Sequence, residues 1–138
     1  MKYYAVIDTN ILISALIKEN SVPARIIDFI KGETIIPLIH ADILAEYRRV
    51  LHYDKFSFSQ KQIDDIEEIF IHYGISIPPI RTDEFMPDLS DAIFFEVALG
   101  AQKFTDSAYL VTGNSKHFPV KPFVVTPREM LEILEKNS

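Results

Sequence analysis

Asp8, Glu46, Asp88, Asp91 and Asn114 are the side chains of this sequence whose types and positions could do chemistry together. Asp8 stands directly after the apolar run Tyr3-Tyr4-Ala5-Val6-Ile7. Glu46 has Ile43, Tyr47 and Val50 around it at helical spacing, and a carboxylate beside an apolar stripe needs an ion pair, hydrogen bonds or a metal. Asp88 and Asp91 open Pro87-Asp88-Leu89-Ser90-Asp91-Ala92-Ile93-Phe94, and Asn114 follows Thr112-Gly113. Each has a plain structural reading as well. Asp8 and Asp88 are good helix N-caps, Glu46 can pair with Arg48 or Arg49, and Gly113-Asn114 is ordinary turn chemistry. Together, the carboxylates of Asp8, Glu46 and Asp91 with the Asn114 amide oxygen would make a pocket whose mutual repulsion raises its own carboxyl pKa values. A hard divalent cation relieves that repulsion, and oxygen ligands with retained waters suit Mg²⁺ or Mn²⁺. The reaction one or two such ions support is in-line hydrolysis of a phosphodiester.

The elements that must position these residues alternate along the chain. Tyr3 to Ile7 reads as a doubly buried strand, followed by a short helix over 11–17 and a second helix starting at Pro23 and ending at Gly32. A second strand covers 34–39, and Pro37 pushes it toward a sheet edge or its own end. Helices follow over 42–51 and from Ser59, where Gln62 completes a capping box. In the latter, Ile63, Ile66, Ile69 and Phe70 form the apolar stripe, and Asp64, Asp65, Glu67 and Glu68 the wet face. A third strand at 74–77 stops at Pro78-Pro79, a buried helix runs from Leu89 or Ser90 to Leu99, and strands follow at 109–112 and 123–125. Thr126-Pro127-Arg128-Glu129 starts the last helix. This alternation predicts an α/β fold, a parallel sheet with helices on both faces. In such sheets the working site lies at the carboxyl ends of the strands, where Asp8 and Asn114 fall.

The chain has 138 residues, which predicts one domain over 1–138. A net charge of −6 argues against a broad basic face that coats nucleic acid, while leaving nucleic acid open as a substrate of an acidic metal site. The absence of cysteine excludes disulfides, thiolate metal sites and cysteine nucleophiles. No apolar run reaches the length of a membrane helix, and the expected setting is the cytoplasm.

The chain resembles the PIN-domain family of metal-dependent ribonucleases. The resemblance rests on Val6-Ile7-Asp8-Thr9-Asn10-Ile11-Leu12, on Leu44-Ala45-Glu46-Tyr47, on Asp88 to Asp91 and on Leu110-Val111-Thr112-Gly113-Asn114. It implies a three-layer α/β/α sandwich with a mainly parallel five-stranded sheet, Mg²⁺ or Mn²⁺ as cofactor and single-stranded RNA as substrate. It implies Asp8, Glu46 and Asp91 as catalytic metal ligands, with Asp88 as an auxiliary acid. Thr9, Asn10 and Thr112 would orient the carboxylates or water. The family's fourth acid most often stands where this chain has Asn114, so a second metal should bind more weakly here. Tyr47-Arg48-Arg49-Val50-Leu51 and Asn114 to Pro119 resemble a subgroup of toxins from toxin–antitoxin pairs, the VapC type, which implies an antitoxin protein as partner and admits a homodimer. The stripe Ile63 to Phe70 is one surface considered for that dimer.

Arg48, Arg49 and Lys116 are candidates for RNA contact, with a solvated helix face as the plainer reading of the two arginines. His117 reads as a structural loop histidine. Phe56-Ser57-Phe58 could stack on bases, although such a segment more often closes the core. Two other classes compete: a degenerate PIN-like domain that binds or regulates without catalysis, motivated by Asn114, and a phosphotransfer domain with an Asp8 nucleophile. Against the latter, no Asp-x-Asp follows the first strand.

Overall fold

The computed structural model describes residues 1–137. Its elements in chain order are β1 (Tyr3–Ile7), α1 (Thr9–Ile17), α2 (Val22–Lys31), β2 (Ile35–Ile39), α3 (Ala41–Leu51), α4 (Gln60–Tyr73), β3 (Ile75–Ser76), α5 (Ala92–Gln102), β4 (Ala108–Val111), β5 (Val124–Val125) and α6 (Pro127–Lys136). Three 3₁₀ turns, at Asp54–Phe56, Leu89–Asp91 and Ser115–His117, complete the inventory. The five strands pair in the order β3-β2-β1-β4-β5, and every pairing is parallel. The α/β architecture expected from the sequence is therefore present, with the sheet parallel throughout.

Strand order fixes where the helices lie. The chain steps outward from β1 to β2 to β3, then crosses back to β4 on the other side of β1. Right-handed crossovers put helices of the outward steps on one face and the helix of the return step on the other. The packing agrees: α2 and α4 lie against β2 and α6 against α2, while α5 packs on β4, β1 and β2. The reversal makes the β1/β4 junction the topological switch point, and Asp8 and Thr112 stand just beyond the ends of those two strands.

β1 is almost wholly buried, as its apolar run requires, and so is β4. Pro37 does not sit on an edge, because β2 lies between β3 and β1. Tyr3 donates to Thr34 and Ile77 to Ile39, so along β2 the even residues face β1 and the odd ones face β3. Pro37 therefore turns its missing N–H toward β3. That strand pairs only from Leu38 onward, so no ladder bond is lost.

The capping signals are met. Ser59 and Thr126 each close a capping box, with Gln62 and Glu129. The wet face assigned to α4 needs correction at Glu67, which is buried and bound by Arg48. The dimer surface considered along Ile63 to Phe70 is also corrected. Ile63, Ile66 and Phe70 are buried in this chain's own core, with Ile69 packed against them. The helix expected from Leu89 or Ser90 begins as a 3₁₀ turn and becomes α-helical only at Ala92. Gly100 lets α5 press against the 77–80 segment, since a Cβ there would lie 2.1 Å from the Pro78 carbonyl oxygen. Ile80 N–H donates to the Glu96 carbonyl at 2.9 Å, and Thr82 N–H to the Glu96 carboxylate at 3.0 Å, which anchors the connection on α5.

Candidate metal centre

At the carboxyl edge of the sheet, Asp8, Glu46, Asp88, Asp91 and Asn114 line one cavity of about 230 Å³, together with Thr9, Asn10, Arg49, Tyr53 and His117. Four elements deliver them. Asp8 ends β1, Glu46 lies on α3, Asp88 and Asp91 belong to the 3₁₀ turn before α5, and Asn114 follows β4. Size does not mark this place: an apolar cavity of about 490 Å³ lies among Tyr4, Leu38, Ile75, Ile77 and Phe104, but it carries no carboxylate.

Asp8 occupies the N-cap position of α1 without capping it through its side chain. Its Oδ2 accepts the Thr112 hydroxyl at 2.7 Å, across the switch point. The same Thr112 oxygen accepts the Asn114 N–H at 3.0 Å, so one hydroxyl ties Asp8 to the loop that carries Asn114. Asp8 is 5% exposed. Burial pushes its carboxyl pKa above the usual carboxylate value, opposed first by the Thr112 hydroxyl and then by the Thr9 amide. Asp91 is pushed up to about 6, by burial first and then by the charges of Asp8 and Asp88. Asp88 goes the other way. Its Oδ1 accepts both the Ser90 hydroxyl at 2.8 Å and the Ser90 N–H at 2.9 Å, which hold its carboxyl below the usual value. Asp88 is thus the cap its position suggested, and still lines the cavity.

Glu46 meets both of its readings at once. It lines the cavity and pairs with Arg49, whose Nη2 lies 2.6 Å from Oε1. Arg48 faces elsewhere, in a forked pair with buried Glu67 at 2.7 and 3.3 Å. Of the basic candidates, Arg49 lies in the cavity wall, while Arg48 lines a different cavity with Leu44 and Ile71. Lys116 is exposed in the turn after β4, beside the cavity wall rather than in it. His117, read from sequence as a loop histidine, has its Nδ1 3.7 Å from the Asp91 carboxylate. Tyr53 escaped notice altogether. Its only signal is its place four residues after Arg49, one turn on along the same face.

The donor chemistry fits a hard divalent ion. All of the candidate acids offer oxygen, and the one buried side-chain polar atom without a partner among the described residues is Thr9 Oγ1, on a residue of the cavity wall. An ion that keeps several waters would give that hydroxyl a partner. No three His, Cys, Asp or Glu side chains among the described residues are arranged to hold an ion by themselves. Glu46 is engaged by Arg49, and one corner of the pocket is an amide.

A family model described as PIN domain matches residues 4–116, which takes in every residue of this cavity except His117. The chain belongs to the PIN-domain family. PIN domains are generally nucleases and typically use divalent metals, so this is a nuclease-type fold, which supports a hydrolase. The chain is also similar to uncharacterized protein MJ1680 of Methanocaldococcus jannaschii, with 29% identity over 151 aligned residues that take in 99% of this chain and 94% of that protein. No solved structure matches the chain significantly. No helix among the described residues of this PIN domain is long and apolar enough to cross a membrane.

Proposed function

We propose that this protein is a Mg²⁺- or Mn²⁺-dependent endoribonuclease that cleaves single-stranded RNA in the cytoplasm, as the toxin of a toxin–antitoxin pair. The observation that carries the nuclease reading is the meeting of Asp8, Glu46, Asp88, Asp91 and Asn114 around one cavity at the switch point, beside the orphan Thr9 hydroxyl. Asp8, Glu46 and Asp91 would hold the metal, with Asp88 and Asn114 as further oxygen donors. When bound, the metal lowers the pKa of a water and draws charge from the scissile phosphate. The chain's own contribution is positioning. Thr112 holds Asp8 in one orientation and favours its ionised form. Asn10 and Thr9 line the same cavity and would orient the carboxylates or a water there. Arg49, now paired with Glu46, would supply a cation to a phosphate where Glu46 serves as a metal ligand.

The test is cleavage of unstructured RNA with Mn²⁺, Mg²⁺ or EDTA, beside Asp8→Asn. Cleavage that needs metal and vanishes in a folded variant is expected. Full activity in Asp8→Asn, or cleavage in EDTA, overturns the metal mechanism. The toxin reading rests on the resemblance of Tyr47 to Leu51 and Asn114 to Pro119 to the VapC-type subgroup. Growth arrest on induced expression, relieved by Asp8→Asn, supports it; unimpeded growth overturns it.

Asn114 and the Arg49–Glu46 pair favour a second reading, a PIN-like domain that binds or regulates without cleaving. Asn114→Asp separates the two. Cleavage gained in that variant identifies a weakened metal site. Continued silence with intact RNA binding supports the binding module.

A further inference from the structure

Between α3 and α4 three aromatic rings are stacked in a row that ends at the acidic cavity. Tyr53 and Phe56 are parallel within 11° with centroids 6.4 Å apart, and Phe56 and Phe58 within 13° at 5.6 Å. Ser57, in the left-handed region at φ 54°, turns the chain so that both phenylalanines join one stack. Phe56 and Phe58 are half-buried against the core, which anchors the row. Tyr53 is 38% exposed and lines the cavity with Asp8 and Glu46. A row that served only to close the core would not carry its outer ring into a polar site.

Cations accompany the rings. Arg49 lies over the Tyr53 ring at 5.5 Å from its centroid and also donates to the Tyr53 hydroxyl. Lys55 lies over Phe56 at 5.2 Å. Asp54 is the single acid in the segment 52–58. A π face with a cation beside it, repeated, matches the repeat of a single-stranded nucleic acid, one base and one phosphate at a time.

We infer that Tyr53, Phe56 and Phe58, with Arg49 and Lys55, form a stacking track that receives unpaired bases of RNA and leads the adjoining phosphate into the acidic cavity. Bases stack on the rings, and the two cations move from the ring faces to the phosphates. The track rests on the nucleolytic reading for its purpose, but its binding is measurable without cleavage.

The experiment is fluorescence anisotropy in EDTA with an unstructured, labelled RNA decamer and an abasic decamer of equal charge. The wild type should bind the base-bearing strand at least about tenfold more tightly, since each stacked base is worth about five- to a hundredfold. Because Phe56 also packs on the core, Tyr53→Leu carries the test, with Tyr53→Phe as the control that keeps the ring and loses the hydroxyl. Tyr53→Leu should lose about fivefold or more on the base-bearing strand and nothing on the abasic one. Tyr53→Phe should keep its preference. Equal binding of both decamers by the wild type, or undiminished binding by Tyr53→Leu, overturns the track. Metal-dependent cleavage with unchanged Tyr53→Leu binding overturns the track alone. Base-dependent binding that Tyr53→Leu loses, without any cleavage in Mn²⁺, upholds the track and overturns the nuclease activity.

Discussion

The Tyr47 hydroxyl donates to the Ile7 carbonyl at 2.5 Å, inside the core and across 40 residues of sequence. Ile7 precedes Asp8 and Tyr47 follows Glu46, so this one bond sets how far α3 stands from the end of β1. The Ile7 carbonyl faces the β2 side just where that strand ends, and without Tyr47 it would have no ladder partner. Phe70 and Phe94 pack around the Tyr47 ring at 5.2 and 6.1 Å between centroids, so the ring has little freedom to drift.

Tyr47→Phe should therefore keep the packing and orphan a buried carbonyl. The expected loss is about 1–3 kcal/mol, the cost of leaving such a group unpaired. Thermal unfolding should fall by several degrees, and metal-dependent cleavage should fall further than the stability change explains. An unchanged melting temperature would mean that the bond contributes nothing net.

Much of this arrangement was legible in the residues. Asp8, Asp88, Asp91 and Asn114 could be placed because strand ends and helix starts are marked by abrupt changes from apolar to polar residues, and a parallel sheet gathers those ends on one edge. The capping boxes at Ser59 and Thr126 were legible for the same local reason. What stayed hidden depends on pairing across the fold. Glu67 looked like one acid in an exposed row, and only the approach of Arg48 from α3 explains its burial. Pro37 looked like an edge residue, and only the register of β3 shows why an inner strand accepts it. His117 carries no local sign of the cavity and Tyr53 only its spacing from Arg49, since both reach it through turns whose course periodicity does not reveal.

Thr112 is the residue through which Asp8 and Asn114 communicate. Thr112→Val keeps the shape and removes the hydroxyl. Removing the hydrogen-bond partner of a metal-ligating carboxylate typically costs ten- to a hundredfold in metal affinity, so Thr112→Val should bind Mn²⁺ about ten- to a hundredfold more weakly. Calorimetric titration at fixed pH reads this directly. An affinity equal to wild type would show that Thr112 serves packing alone.

Asp91 makes the metal-free protein sensitive to pH. Its folded carboxyl is raised from 3.8 to about 6, so below about 4 it is protonated in both states and weighs on neither. As pH rises from about 4 through 6, the unfolded chain gives up this proton more readily than the folded one, and stability is lost. Asp91→Asn removes that dependence. In EDTA its urea midpoint should gain on the wild type from pH 4 to about 6.5 and then hold a constant lead. A gap that does not widen over this range would mean that Asp91 is not raised in the folded state.

Arg49 serves two opposed interests, and its substitution should split them. Its guanidinium holds Glu46 at 2.6 Å, which quiets the repulsion among the acids and competes with a metal for the same carboxylate. The pair is a partly exposed one, so its strength is modest, about 1 kcal/mol or less. Arg49→Gln should therefore tighten Mn²⁺ binding by only about fivefold or less, because Glu46 no longer has to be freed. The same change removes a cation from the cavity mouth, so RNA binding should weaken and its salt dependence should flatten by about one phosphate contact. Titration of Mn²⁺ and of RNA against salt, on the same variant, reads the two effects separately. Weaker metal binding in Arg49→Gln would reverse the argument, since it would mean that Arg49 positions Glu46 for the ion instead of occupying it.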